Sequence, residues 1–228
     1  VRQPALTPAQ PALAVVPPPR PGVRVFAGME FMRVPGGKFL MGSRQDNGLA
    51  IDAEKPQHTV EIAQDTWLAR FPVTNRHFEK YLNATRQEHP WVSGWKNKLD
   101  HPVVNMSWHA AMAFCAWLNR TCGQELPAGY TFRLPTEAEW EKAARGEHGF
   151  EWPWGEPFDP TRCKSAESKQ GGTTPVGAYS PQGDSPYGCA DMAGNVCEWT
   201  LSLYKPYPYK KDDGRENTRV SGMRVLRG

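Results

Sequence analysis

The run Asp191-Met-Ala-Gly-Asn-Val-Cys-Glu-Trp-Thr200 is the most informative stretch of this sequence. It brings two carboxylates, a glycine and an indole together in a part of the chain that is too rich in turn-forming residues for a regular helix or strand. Carboxylates and backbone carbonyls gathered by an irregular loop can bind a hard cation such as calcium. In the alternative reading, Asp191 only caps a turn and Trp199 fills the core, because loop carboxylates often bond nearby backbone N–H groups.

The composition indicates one globular domain with a tail. Hydrophobic residues make up 39% of the 228 residues and charged residues 22%, which is ordinary for a soluble protein. The chain also contains 21 Gly, 22 Pro and 9 Trp. We therefore expect a core of large aromatic side chains held between long loops.

The charge pattern excludes several classes of partner. A formal net charge of +3 is too small for a nucleic-acid-binding surface. The basic cluster at Lys205, Lys210 and Lys211 is followed directly by Asp212 and Asp213, which favours a solvated loop. No apolar run approaches the length of a membrane span, and no signal peptide is recognisable. These features predict a cytoplasmic protein with no nucleic-acid or membrane partner.

The cysteine pattern favours buried thiols in a reducing compartment. The chain has 5 cysteines and no C-x-x-C pair, which argues against a zinc site and a complete disulfide framework. A bridge between Cys163 and Cys189 is the main alternative. Cys115 lies on the apolar stripe of a predicted helix, together with Ala111 and Leu118, and is interpreted as a small core residue.

The chain divides into a linker and a domain. Residues 1–25 are rich in Pro and Ala, so we predict an extended linker to an upstream domain, followed by a globular domain over residues 26–228. Residues 31–34 and 38–42 flank Pro-Gly-Gly and predict a β-hairpin. Alternation of polar and apolar residues predicts a strand over residues 58–62.

Three helices are predicted from capping residues and apolar spacing. Each begins after a Ser or Thr that can cap it, and the third has a T-x-x-E capping box. The predicted spans are residues 75–84 after Thr74, residues 108–120 after Ser107, and the segment from Thr136 to the stop at Gly146. Little periodicity follows, so the rest should consist of loops around short strands.

In their order along the chain, these segments resemble the formylglycine-generating enzyme, or sulfatase-modifying factor, family. The resemblance covers about Phe31 to Gly228. It rests on Val34-Pro-Gly-Gly37, Glu54-Lys-Pro-Gln-His58, Pro72-Val-Thr-Asn75, Arg133 to Gly146, Trp152-Pro-Trp-Gly155, Thr174-Pro-Val-Gly177 and Asp191 to Thr200. It implies an α+β domain with the family's C-type-lectin-like fold, with low regular secondary structure, short strands and a few short helices.

The resemblance also implies calcium as a structural cofactor. The matching ligands are the Asp191 side chain, the Gly194 and Val196 carbonyls and the Glu198 carboxylate. The family has a second calcium site with an Asn before the T-P-V-G segment, where this chain has Lys164. An ammonium cannot ligate a cation, so we expect the second site to be lost or rebuilt. Cys197 stands where the family usually has Trp, and we expect it to make a core contact.

The catalytic residues of the family have no counterpart in this sequence. The enzymes oxidise a substrate cysteine with oxygen and a copper ion held by two thiolates, which follow a segment resembling residues 224–228. None of the cysteines here takes those positions, and the histidines show no H-E-x-x-H spacing. We therefore assign no catalytic residue, and we expect copper only if a further segment supplies the cysteine pair.

Three functional hypotheses follow from the resemblance. The first is a non-catalytic module that binds an unknown protein or small ligand through its C-terminal surface, as in the variable proteins of diversity-generating retroelements. The second is a copper-dependent cysteine oxidase whose catalytic cysteines lie outside this sequence. The third is an accessory domain of an iron-dependent sulfoxide synthase. The residues that follow Gly228 in the parent gene would separate them best.

Overall fold

The computed structural model describes residues 22–88, 93–168 and 171–228. Within these ranges the chain forms short strands and short helices joined by long loops, as the sequence predicted. The elements are β1 (Val23–Phe26), β2 (Met29–Val34), β3 (Gly37–Met41), β4 (His58–Ile62), β5 (Thr66–Ala69), α1 (Asn75–Thr85), α2 (Trp108–Cys122), α3 (Glu137–Arg145), β6 (Glu198–Leu203) and β7 (Arg224–Arg227). Single 3-10 turns lie at Asp52–Glu54, Trp95–Asn97, Gly123–Glu125 and Ala166–Ser168.

The strands form small antiparallel sheets, and their pairing corrects the predicted hairpin. β2 lies between β1 and β5, whereas β3 pairs with β4 and β6 pairs with β7. The Pro-Gly-Gly turn therefore leads from one sheet to another. Its backbone is held by other groups, because Gly36 N–H donates to Asp65 Oδ1 over 3.0 Å and Lys142 Nζ donates to the Gly36 and Gly37 carbonyls over 3.0 and 3.2 Å.

The sheet also begins earlier than the sequence suggested. β1 pairs with β2 from Val23, opposite Met32, so residues 23–25 belong to the folded domain and not to the linker. β1 is an edge strand of this sheet, in which Phe26 is buried and Val25 is 58% exposed. The remaining residues of the predicted linker, 1–21, lie outside the described part of the chain.

The three predicted helices are confirmed, with ends within two residues of the expected ones. Each predicted cap accepts a hydrogen bond from a backbone N–H three residues later: Thr74 Oγ1 from His77 (3.3 Å), Ser107 Oγ from Ala110 (3.1 Å) and Thr136 Oγ1 from Glu139 (3.2 Å). On α2 the buried face is formed by Trp108, Phe114 and Leu118, while Cys115 is half-buried. Among the described residues, no helix is long and apolar enough to cross a membrane.

The core consists of separate apolar clusters. One joins α1 and α2 to the first sheet through Phe26, Met29, Phe78 and Phe114. A second joins α3 to the loop before β6, and its members are Val34, Trp140, Ala143, Ala144, Cys189 and Met192. The loop that begins at Asp191 is thus anchored on the buried face of α3.

Candidate functional site

The loop of residues 191–198 runs from the second apolar cluster into β6. Three of its residues have a left-handed backbone conformation, which sets its course. Asp191, Gly194 and Asn195 have φ angles of 56°, 78° and 64°. Asp and Asn tolerate this region better than most residues because their short side chains bond locally. At Gly194 no side chain fits, because a Cβ would lie 2.2 Å from the Lys164 carbonyl oxygen.

The loop is joined to the T-P-V-G segment, which is distant in sequence. Asp191 Oδ2 accepts a hydrogen bond from Gly177 N–H over 2.7 Å, and Asn195 Oδ1 accepts one from Thr174 N–H over 3.0 Å. Asp191 is 8% exposed, and burial raises the pKa of its carboxyl against the opposing effect of the Gly177 hydrogen bond. The T-P-V-G segment and the loop of residues 191–198, which are separate motifs in the sequence, are therefore joined in the structure.

Glu198 places a second carboxyl beside this structure. Its Oε1 atom is buried and has no hydrogen-bond partner among the described residues. Burial raises the pKa of Glu198 to about 8, the negative charge of Asp191 acts in the same direction, and the Trp140 indole N–H acts against both. A buried carboxyl with an unmatched oxygen is costly unless it stays protonated or meets a cation.

The donor chemistry of the loop fits a hard cation. Asp191 and Glu198 supply carboxylate oxygens whose charges repel each other, and a divalent ion would relieve that repulsion. The Gly194 carbonyl accepts Val196 N–H over 2.9 Å and retains a second lone pair. In the described ranges no group of three or more His, Cys, Asp or Glu side chains could hold a metal, so a cation here depends on backbone oxygens.

Lys164 lies against the same loop from the other side. Its carbonyl accepts Asn195 N–H over 2.9 Å, and its Nζ donates to Ser168 Oγ over 2.7 Å. The residue is 8% exposed. An ammonium has donors and no acceptor, so this position does not fit a calcium ligand.

The cysteines are free thiols, and the Cys163–Cys189 bridge is not formed. Burial raises the pKa of Cys189 to about 12 and that of Cys115 to about 11, which leaves both thiols unreactive at neutral pH. Cys197 is exposed, so the expected core contact is wrong.

Two cavities meet at the loop. The first, of about 460 Å³, lies between the β2–β5 pair and α2, and its walls are mostly apolar. Val196, Cys197 and Glu198 line it. The second, of about 330 Å³, lies between α3, the segment after β3 and the end of β7, and residues 192–194 line it. The loop of residues 191–198 is therefore a wall shared by both cavities.

A charged network in the second cavity was missed in the sequence. The Glu141 side chain is fully buried and accepts hydrogen bonds from Gly42 N–H over 2.6 Å, from Arg145 Nη1 over 2.7 Å and from Arg227 Nη2. Arg227 Nη1 also lies 3.8 Å from Glu54 Oε1. In sequence, α3 has five charged residues among nine, a composition that by itself indicates an exposed helix.

The comparisons with known proteins identify the family. Residues 21–228 match the family described as sulfatase-modifying factor enzyme 1-like domain, and the chain belongs to this family. It is 32% identical to the inactive C-alpha-formylglycine-generating enzyme 2 of Mus musculus, covering 86% of this chain and 72% of the relative. It is 29% identical to the formylglycine-generating enzyme of Streptomyces coelicolor, covering 96% of this chain and 84% of the relative.

Solved structures agree on the fold. PvdO from Pseudomonas aeruginosa is 25% identical, with a TM-score of 0.67 over 82% of this chain and 77% of that one. Treponema denticola variable protein 1 is 21% identical, with a TM-score of 0.65 over 90% of this chain and 86% of that one. The α+β fold of the formylglycine-generating enzyme family that the sequence predicted is thereby shown.

Proposed function

We propose that this chain is a non-catalytic binding module of its family and that calcium stabilises its ligand-binding surface. The observation that carries the proposal is the shared wall: residues 191–198 border both the apolar cavity and the charged cavity. Concave sites with mostly apolar walls and a few polar groups are typical of ligand binding. An unidentified protein or small ligand would bind at this C-terminal surface.

Calcium would stabilise the loop of residues 191–198 and would take no part in a reaction. Its ligands would be the carboxylates of Asp191 and Glu198 and the carbonyls of Gly194 and Val196. The unmatched Glu198 oxygen and the repulsion between the two carboxyls support this assignment. Calcium bound to the folded chain alone would raise its stability and fix the loop between the cavities.

A copper-dependent cysteine oxidase is the second candidate. It is favoured by the similarity to the Streptomyces coelicolor enzyme along 96% of this chain. The described thiols do not support it, because the two that line the apolar cavity, Cys115 and Cys197, include one whose pKa burial raises to about 11. Soft thiolate ligands are what Cu(I) requires. The accessory role in a sulfoxide synthase stays a prediction.

Two further proposals concern the setting of the domain. The free thiols support a reducing compartment, so we keep the cytoplasm as the proposed location. We also propose that residues 1–21 connect the domain to an upstream one. Neither proposal affects the binding surface.

One experiment separates binding from oxidation. The chain is loaded with Cu(I) and incubated with a cysteine-containing peptide, and oxygen consumption and the peptide mass are followed. The binding module predicts no turnover above a copper-only control. Sustained oxygen consumption with conversion of cysteine to the aldehyde would show that the chain is an enzyme. Cys115→Ser and Cys197→Ser variants would then show whether the two thiols of the apolar cavity are responsible.

A further inference from the structure

Lys164 provides the chain with a cation of its own. We propose that the Lys164 ammonium takes the place of a second calcium ion and orders the turn of residues 164–168, whose backbone contacts the loop of residues 191–198, without metal. The family resemblance expects a metal-binding Asn at this position, and the residue present cannot ligate a metal. The contacts of the lysine account for this disagreement.

The side chain of Lys164 has the surroundings of a bound cation. It lies in a residue that is 8% exposed, and Nζ donates to Ser168 Oγ over 2.7 Å. The Ser168 hydroxyl in turn donates to the Ser165 carbonyl over 2.7 Å. A buried ammonium is tolerated only when oxygen atoms accept its hydrogens. The turn at residues 165–168 therefore closes on the ammonium.

The backbone of Lys164 faces the opposite way, toward the proposed calcium loop. Its carbonyl accepts Asn195 N–H over 2.9 Å and leaves no space for a side chain at Gly194. The ammonium of this residue thus closes the turn at residues 165–168, and its carbonyl joins that turn to the loop of residues 191–198. The link needs no ion.

The segment from Arg162 to Ser168 offers few carboxylates for calcium. Between Arg162 and Ser168 the only acidic residue is Glu167, which is exposed. Calcium sites usually combine six to eight oxygens and more than one carboxylate. A single positive charge that donates to the Ser168 hydroxyl matches what this segment offers.

The inference is tested with two variants and a matched control. Lys164→Met keeps the apolar stem and removes the charge, and we expect its melting temperature to fall by roughly 3–12 °C, with or without calcium. The melting temperature of Ser168→Ala should also fall, but by less than that of Lys164→Met. Lys38→Met, at an exposed position of β3, should change the melting temperature by about 2 °C or less. An unchanged melting temperature for Lys164→Met would overturn the proposal.

Calcium stoichiometry supplies the second readout, measured by native mass spectrometry and calorimetry. The Lys164→Asn/Ser168→Asp double variant places an amide and a carboxylate around the vacated position. It should bind one more calcium ion than the wild-type chain. If the first calcium site is wrong, the wild-type chain binds none and the double variant still gains one, so the two ideas fail separately. Two ions bound by the wild-type chain, or no gain in the double variant, would refute the replacement.

Discussion

Glu198→Gln tests the buried carboxyl at the centre of the site. A rise of the pKa from 4.5 to about 8 corresponds to about 5 kcal/mol at ~1.4 kcal/mol per pKa unit. The direction of the pH dependence follows from proton binding. Between these pH values the metal-free native state keeps a proton that the unfolded chain releases, so the free energy of unfolding falls as the pH rises. Gln carries no titrating proton and removes this dependence.

The assay is urea unfolding in the presence of a chelator at pH 5 and pH 8.5. Between pH 5 and pH 8.5, the free energy of unfolding of the wild-type chain should fall by about 4 kcal/mol more than that of Glu198→Gln. Glu61→Gln, on the exposed face of β4, is the control and should keep the wild-type slope. Equal slopes for the wild type and Glu198→Gln would show that the carboxyl is not held protonated.

Added calcium extends the same experiment. At pH 8.5, calcium should restore the stability of the wild-type chain, because the ionised Glu198 carboxylate then has a cation. A free calcium concentration one hundred times the dissociation constant would raise the free energy of unfolding by about 2.7 kcal/mol. The Gln variant should recover much less. The same gain in both proteins would remove Glu198 from the proposed ligand set.

Three further outcomes are expected. Gly194→Ala should lower the free energy of unfolding by about 3 kcal/mol, because its Cβ would meet a backbone carbonyl at 2.2 Å. The control Gly214→Ala, with a similar φ of 79° and open space around it, should lower it by about 1 kcal/mol, and equal losses in urea unfolding would contradict the steric argument. Cys197 should react with a thiol dye in the folded chain and Cys189, with its pKa raised to about 12, only after unfolding, and mass mapping of early labelling at Cys189 would count against the fold. Lys142→Met should lower the free energy of unfolding by about 2–3 kcal/mol because two carbonyls of the Pro-Gly-Gly turn lose their donor. A change of about 0.5 kcal/mol or less, as for an ordinary surface substitution, would show that the contact is dispensable.

Local signals in the sequence were sufficient for the helices. Thr74, Ser107 and Thr136 cap them because a capping hydrogen bond involves residues three positions apart, which a short window of sequence contains. The hairpin prediction failed for the opposite reason. The Pro-Gly-Gly turn is held by Asp65 and Lys142, which are distant in sequence, and those contacts direct the two strands into different sheets.

The site was predicted in part. The loop at residues 191–198 was located from its composition, and the family resemblance supplied its proposed ligands. Its attachment to Gly177 and the burial of Glu198 follow from packing between separate segments, which the sequence does not show. The network around Glu141 was missed because an acidic residue in a short helix ordinarily indicates an outer face, and here Gly42 and Arg227 enclose it.

The wall between the two cavities has a thermodynamic consequence. Under the proposed binding function, a molecule that displaced residues 192–194 from the charged side would also move residues 196–198 on the apolar side, because both sets belong to one short loop. Occupancy of one cavity would then change the affinity of the other, and by linkage the effect would have the same size in both directions. The proposed module would in this way couple two dissimilar ligands through eight residues, from Asp191 to Glu198.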